Sequence, residues 1–193
     1  MLIDLTFTID KDDPHNPFFH TGEGIKVAQI GHLGTHMDIM LPEIHIDPER
    51  FICNGTLVHV ENIFDRQIEP EDFSNAEIHK GDFVIFKTDW FTQYYKTDFY
   101  LKNHPEDWHP ELSDATLQFL VEKEVNFIGI DAAGVKKVSE HAAADLYCAK
   151  HNIFVIENVV NLNKLSEDKF KAYCFPLKLQ KSSGLPTRIL AEI

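Results

Sequence analysis

The residues best suited to chemistry stand together early in the chain, in Gly31-His32-Leu33-Gly34-Thr35-His36-Met37-Asp38-Ile39. In a helix His32 and His36 would share a face while Asp38 pointed away from it, and Gly34 would weaken the helix interior. In an extended chain side chains alternate, so His32, His36 and Asp38 project to one side and Met37, Ile39 and Leu41 to the other. Only the extended arrangement sorts polar from apolar residues. Two imidazoles and a carboxylate on one side form a ligand set for Zn²⁺ or a similar divalent metal, and three protein ligands leave coordination positions open, the pattern of catalytic rather than structural sites. A hydrogen-bonded polar face on an edge strand is the competing reading. Three ligands in register beside Gly-Thr favour the metal.

A second set lies late in the chain. His141 and Asp145 are four residues apart and share a helix face; Glu157 ends the strand that follows. That helix starts at Ser139, runs to about 151, and is flanked by the apolar strands NFIGID and IFVIEN. Strand, helix, strand of this length is a βαβ unit, with a parallel pair and a right-handed crossover. Asp131 and Glu157 each end one of these strands, where ligands gather in open α/β sheets. Asp131 reads equally well as a cap on a loop or helix start. His141 and Asp145 also read as a solvated face near a helix N-terminus, and for His141 that reading comes first.

The elements that must position these residues are short. Runs rich in β-branched or aromatic residues predict strands over 2–8, 25–30, 35–41, 55–60, 82–87, 126–130 and 153–156. A second helix begins at Ser113, a good N-cap, and runs to about 123, with Leu117, Leu120 and Val121 on one stripe. The stretch from 61 to 80 reads as surface connection with a short strand or turn. No linker or repeat divides residues 1–193, so one domain is expected.

Composition narrows the function classes. Hydrophobic residues make up 44% and charged residues 25%, ordinary for a globular protein, and Lys plus Arg (18) against Asp plus Glu (31) gives a net charge of −13. Such a balance argues against a grip on nucleic-acid phosphates and against an anionic membrane surface. No stretch approaches the roughly 20 apolar residues of a membrane span. Cys53, Cys148 and Cys174 show no C-x-x-C spacing and read as buried free thiols in a reducing cytoplasm. The opening MLIDLTFTID has no basic region or long apolar run, so no signal peptide is expected.

Taken together these segments resemble the metal-dependent cyclase family, which includes bacterial kynurenine formamidase and isatin hydrolase. HLGTHMD is similar to that family's H-x-G-T-H-x-D signature. MLIDLT resembles its opening strand, KGDFVIFKTDW its G-D-x-V-x-x-x-T-x-W segment, and HPELSDATLQFLVEKEVNFIGIDA its H-P-x-L-S helix and I-G-I-D strand. IFVIENVVNL resembles the strand ending in E-N-x-x-N-L, and FPLKL and GLPTRILAEI its closing strands. The resemblance implies an α/β fold of the swivelling β/β/α kind, with a mixed sheet and few helices, and a metal-dependent amide or lactam hydrolase. It implies His32, His36, Asp38 and Glu157 as ligands to a divalent metal, Zn or Mn. The family's remaining ligand is a His on the helix before that Glu. Here its position holds Asp145, with His141 one turn earlier, so either residue fills the place. A carboxylate there would make the site harder and favour Mn²⁺ over Zn²⁺.

Two departures bear on catalysis. The family continues D-x-P-x-H, whose last His is its acid–base group. In this chain Asp38 is followed by Ile39-Met40-Leu41-Pro42-Glu43-Ile44-His45, with Pro and His displaced toward the C-terminus. His45 is the candidate acid–base group; Glu43 is a weaker one. The family also often carries a His after its opening L-T, where this chain has Phe7. The expected chemistry is hydrolysis of a small amide, arylformamide, lactam or lactone, with a water acidified by the metal and a leaving group protonated by His45. Trp90, Phe91, Tyr94 and Tyr95 would suit an aromatic small-molecule substrate, although each reads first as core or subunit interface. A binding protein without turnover, or a hydro-lyase or cyclase on the same metal, is the alternative. The resemblance also implies a homodimer or larger homo-oligomer.

Overall fold

The computed structural model describes residues 1–41, 43–61, 63–97, 100 and 110–193. Its elements, in chain order, are β1 (Leu2–Asp4), α1 (Pro17–His20), α2 (Gly22–Gln29), β2 (His36–Asp38), β3 (Ile52–His59), β4 (Gln67–Ile68), β5 (Phe83–Lys87), α3 (Trp90–Tyr94), β6 (Glu111–Leu112), α4 (Asp114–Glu122), β7 (Phe127–Ile130), α5 (Val138–Lys150), β8 (Phe154–Glu157), β9 (Lys169–Pro176) and β10 (Gly184–Glu192).

Eight strands form one mixed sheet in the order β1-β10-β2-β8-β7-β5-β3-β9, and a further β10–β9 pairing curls it into a barrel-like ring. β3, β5, β7 and β8 run parallel; β2, β9 and β10 are antiparallel to their neighbours. The parallel strands are apolar at successive positions because both faces are covered. Phe83 and Ile85 enter one core cluster with Met37, Phe127, Phe154, Ile156 and Ile189. Val84 and Phe86, on the other face, pack with Ile128, Ile130 and Val155 beneath Leu117 and Leu120 of α4 and Cys148 of α5. The expected βαβ unit is present: β7 and β8 pair in parallel from Phe127↔Phe154, with α5 between them in sequence. Ser113 caps α4, its Oγ accepting the Thr116 N–H at 3.0 Å. Cys53, Cys148 and Cys174 are free and buried. No helix of the described residues is long and apolar enough to cross a membrane.

Three local expectations change. The run 2–8 shortens to β1, with Thr6 in an isolated bridge to Val159. The run 25–30, expected as a strand, lies almost wholly in α2. Ile25, Val27 and Ile30 are β-branched, but Thr21 caps a helix by accepting the Gly24 N–H on its Oγ1 at 2.9 Å. Ile25 stays 41% exposed and Ile30 47% exposed, so this cap rather than burial of an apolar face sets the conformation. The run 35–41 shortens to β2, ended by Met40 at φ 49°.

Candidate metal centre

β2 carries the first candidate ligands. His36 and Asp38 alternate onto one side of it, and its pairing with β8 sets Glu157 directly across from His36. His32 arrives differently. It precedes the strand in a turn that contains Gly34 at φ 61°, a conformation glycine adopts without strain. The chain is therefore not extended throughout 31–39, yet the three side chains still meet. His32 Nδ1 is 3.0 Å from Asp38 Oδ1, and His36 Nε2 is 3.5 Å from both Asp38 Oδ1 and Glu157 Oε2. His32 Nδ1 and His36 Nε2 are 3.1 Å apart.

α5 supplies the other side. Its Asp145 and His141 lie on the face toward the end of β8. His141 Nε2 is 3.0 Å from Asp145 Oδ2 and 2.6 Å from Glu157 Oε1. Both candidates for the helix position, His141 and Asp145, join the cluster. Ligand atoms of His32, His36 and Asp38 lie within 4.8 Å of one another, and so do those of Asp38, His141, Asp145 and Glu157. Asp38 belongs to both groups, which share it as a corner.

The surroundings hold the imidazoles in place. His36 Nδ1 donates to the Gly34 carbonyl at 2.8 Å, leaving its Nε2 lone pair turned toward the carboxylates. His32 Nε2 is 2.8 Å from Ser183 Oγ, on the segment that enters β10. Two glycines make room for the rings. A Cβ on Gly184 would stand 2.9 Å from His32 Cδ2, and one on Gly134 would stand 2.8 Å from His141 Cε1 and Nδ1.

The electrostatics are those of a site short of positive charge. Asp38, Asp145 and Glu157 are each no more than 3% exposed. Asp38 Oδ1 and Oδ2, Asp145 Oδ1 and Glu157 Oε1 are buried without a hydrogen bond, with imidazole nitrogens at 3.0 Å from Asp38 Oδ1 and 2.6 Å from Glu157 Oε1 as ion-pair approaches. Burial raises the Asp38 carboxyl, and the Glu157 charge raises it further. Burial likewise lifts Asp145 to about 6 and holds His36 below the usual imidazole range. The negative charge of Glu157 pushes His141 well up. Buried acceptors without hydrogen bonds, facing imidazole nitrogens, fit a divalent cation, which would satisfy the oxygens and displace the protons that the imidazoles and carboxyls hold in its place.

His45 is exposed and belongs to neither ligand group. Glu43 is also exposed. A cavity of about 440 Å³ lined by Asn54, His79, Asp82 and Lys169 among others contains no ligand candidate. Its Lys169 ammonium donates to Thr56 Oγ1 and to the Glu77 carbonyl.

The family model described as "Putative cyclase" matches residues 3–137. The chain belongs to this cyclase family. Solved structures share the fold. Isatin hydrolase A from Labrenzia aggregata, bound to benzyl benzoate, superposes with a TM-score of 0.77 at 18% identity, covering 99% of this chain and 93% of that one. An isatin hydrolase bound to the product analogue thioisatinate gives 0.72 at 21% identity, covering 98% and 80%. A potential metal-dependent hydrolase with cyclase activity gives 0.68 at 19% identity, covering 99% and 96%. No curated protein matches the sequence.

Within this cyclase the sequence reading missed Ser183, Gly184 and Asn158. Asn158 stands in the ENVVNL stretch, beside a ligand candidate, and that adjacency was the available signal. Ser183 and Gly184 carry no local pattern. They reach the site only because β10 pairs with β2, Gly184 opposite Asp38. The aromatic run divides. Trp90 is core, 2% exposed, while Phe91 and Tyr95 stack at 4.6 Å and meet Phe7 edge-on at 5.2 and 4.9 Å.

Proposed function

We propose that this cyclase-family chain is a metal-dependent hydrolase of a small amide, arylformamide, lactam or lactone. The observation that carries the reading is the set of buried carboxylate oxygens on Asp38, Asp145 and Glu157 that lack hydrogen bonds beside His32, His36 and His141. These six residues would hold the metal, Zn²⁺ or Mn²⁺. A bound divalent cation supplies Lewis acidity, bringing the pKa of a water toward about 7 and polarising a carbonyl oxygen.

The chain's own residues do the rest. His36 and His32, fixed by Gly34 and Ser183, present nitrogen lone pairs, and three buried carboxylates supply compensating negative charge. Phe7 lies against Gly34, with Phe91 and Tyr95 behind it. These rings border the His32–His36 turn with apolar surface and favour an aromatic or other flat apolar substrate over a charged one. Where the family often has a polar His, Phe7 removes a hydrogen-bonding group, which points away from N-formylkynurenine as the necessary substrate. The leaving nitrogen or oxygen needs a proton, and His45, on the loop after β2, is the proposed donor. Phe19, Ile25 and Ile30 expose apolar side chains on the segment leading into His32; we include a homo-oligomer that covers them in the same proposal.

The test is metal content of unstripped protein together with hydrolysis of arylformamides, lactams and lactones in added Zn²⁺ or Mn²⁺. His36→Ala is expected to lose both metal and turnover. His45→Ala should keep the metal and lose roughly 10²–10⁴ in rate. A wild-type protein that takes up neither ion, or His36→Ala with unchanged metal, would overturn the assignment.

A further inference from the structure

Beside the ligand cluster lies a buried amide that no step above uses. Asn158 follows Glu157 directly, is 5% exposed, and holds a left-handed backbone at φ 55°. Its main chain is tied on both sides: its N–H donates to the Ala132 carbonyl at 3.0 Å, and its carbonyl accepts the Thr35 hydroxyl at 2.6 Å. Its side chain joins two other segments. Nδ2 donates to the Gly34 carbonyl at 3.2 Å, and Oδ1 accepts the Tyr100 hydroxyl. The Gly34 carbonyl is the same group that accepts the His36 Nδ1–H.

The orientation of this network follows from its donors and acceptors. A carbonyl oxygen only accepts, so the Asn158 amide must turn its NH₂ to Gly34 and its oxygen to Tyr100. Tyr100 then donates. With its position fixed by Asn158, the Gly34 carbonyl is presented to one imidazole nitrogen, and that nitrogen must carry hydrogen. The other nitrogen, Nε2, is left as the lone pair facing Asp38 and Glu157.

We infer that Asn158 is a positioning residue that, through the Gly34 carbonyl, locks His36 in the tautomer and orientation needed to ligate. The inference rests on the metal-site reading above and adds a residue outside the ligand set. A plain turn role would require only the left-handed backbone, which glycine supplies at least as well. The side-chain amide is the part that distinguishes the two.

The experiment compares wild type with Asn158→Gly and Asn158→Asp. Asn161→Gly serves as control, since Asn161 is also left-handed at φ 61° but bonds the Asp4 carbonyl instead. Zn²⁺ affinity is measured by competition with a chelator. The tautomer of His36 is read from ¹⁵N-detected imidazole spectra of the metal-stripped proteins. Asn158→Gly and Asn158→Asp are expected to bind Zn²⁺ about 10–100-fold more weakly, the range for losing a group that orients a ligand. Their His36 should lose the single Nδ1–H form, while Asn161→Gly matches wild type in both. Asn158→Gly binding within about twofold of wild type, with the tautomer unchanged, would overturn the inference. If the glycine variant fails to fold, the near-isosteric Asn158→Asp decides by the same two readings. If wild type binds neither Zn²⁺ nor Mn²⁺ the metal assignment falls, and the tautomer comparison in stripped protein still decides whether Asn158 sets His36; if it binds Mn²⁺ alone, the affinities are compared with that ion.

Discussion

β7 and β8 lie side by side, run the same way, and each delivers a buried carboxylate at its C-terminal end. Asp131, just past β7, is 3% exposed, as is Glu157 at the end of β8. Their partners differ completely. Asp131 accepts the Thr88 N–H at 2.9 Å, the Thr88 hydroxyl at 2.6 Å and the Asp89 N–H at 2.8 Å. Those donors belong to the corner between β5 and α3, where Asp89 takes a left-handed backbone at φ 65°. Glu157 faces His36 and His141, and its Oε1 has no hydrogen bond. Burial alone therefore does not mark a functional acid. A carboxylate saturated by main-chain and hydroxyl donors braces a corner; one whose buried oxygen has only imidazoles beside it suits a cation.

The largest expected difference is in metal affinity. Glu157→Gln keeps the shape and removes the charge, and should weaken Zn²⁺ or Mn²⁺ binding by more than the roughly 100-fold that loss of an orienting group costs. Asp131→Asn should stay within about threefold of wild type. Chelator competition on the two purified variants measures this. The contrast between the strand ends fails if Asp131→Asn loses metal as badly as Glu157→Gln.

The second difference is in stability, with the ranking reversed. Asp131→Ala strands two N–H groups and a hydroxyl in the interior, at a cost of about 3–5 kcal/mol. In metal-stripped protein Glu157→Gln should cost less than this: it breaks the approach to His141, but Asp145 still faces that imidazole and the amide fills the same space. Urea titration of stripped proteins checks both. A stripped Glu157→Gln destabilised as strongly as Asp131→Ala would mean that Glu157 braces the fold as well.

The sequence separated these acids only in part, for a physical reason. Residue type and strand position were legible, and they assigned both to the active end of the sheet. The donors that distinguish them come from Thr88 and Asp89, in the corner that follows β5, and only the β5–β7 pairing brings those into reach. The same limit hid Ser183, which meets His32 through the pairing of β10 with β2. Features set by short-range chemistry were legible: the capped helix at Ser113, the βαβ unit from β7 to β8, and the alternation of His36, Met37 and Asp38. Where short-range signals conflicted, the reading chose wrongly. The β-branched residues of 25–30 argued for a strand, and the cap at Thr21 made a helix. His32 joined the cluster as expected, but through the Gly34 turn rather than by alternation along a strand.

The smallest expected effect is a pH dependence that separates the shared behaviour of the two acids from what is peculiar to the cluster. Burial lifts both Asp131 and Asp145 to about 6, and raises Asp38 as well. Each folded-state pKa then lies above its unfolded value, so the folded chain holds more protons between about pH 4 and 6. Stability of the stripped protein should fall as pH rises through that window. His36, held low by burial, pulls the opposite way over the upper part of the window, one group against three. His141, pushed well up by the Glu157 charge, keeps its proton throughout and adds no slope there. A bound cation requires Asp38 and Asp145 as carboxylates, so the stabilisation it confers should grow with pH, while the Asp131 share of the slope persists in stripped and loaded protein alike. Thermal melts of both forms at pH 4.5 to 7.5, in wild type and Asp131→Asn, test this (pH values about 1 apart suffice to resolve the window). Asp131→Asn should flatten the slope of both forms equally and leave the loaded-minus-stripped difference unchanged. A loaded-minus-stripped difference that is flat with pH would show that the cluster carboxylates do not exchange protons for metal, and would return Glu157 and its neighbours to the structural class that Asp131 represents.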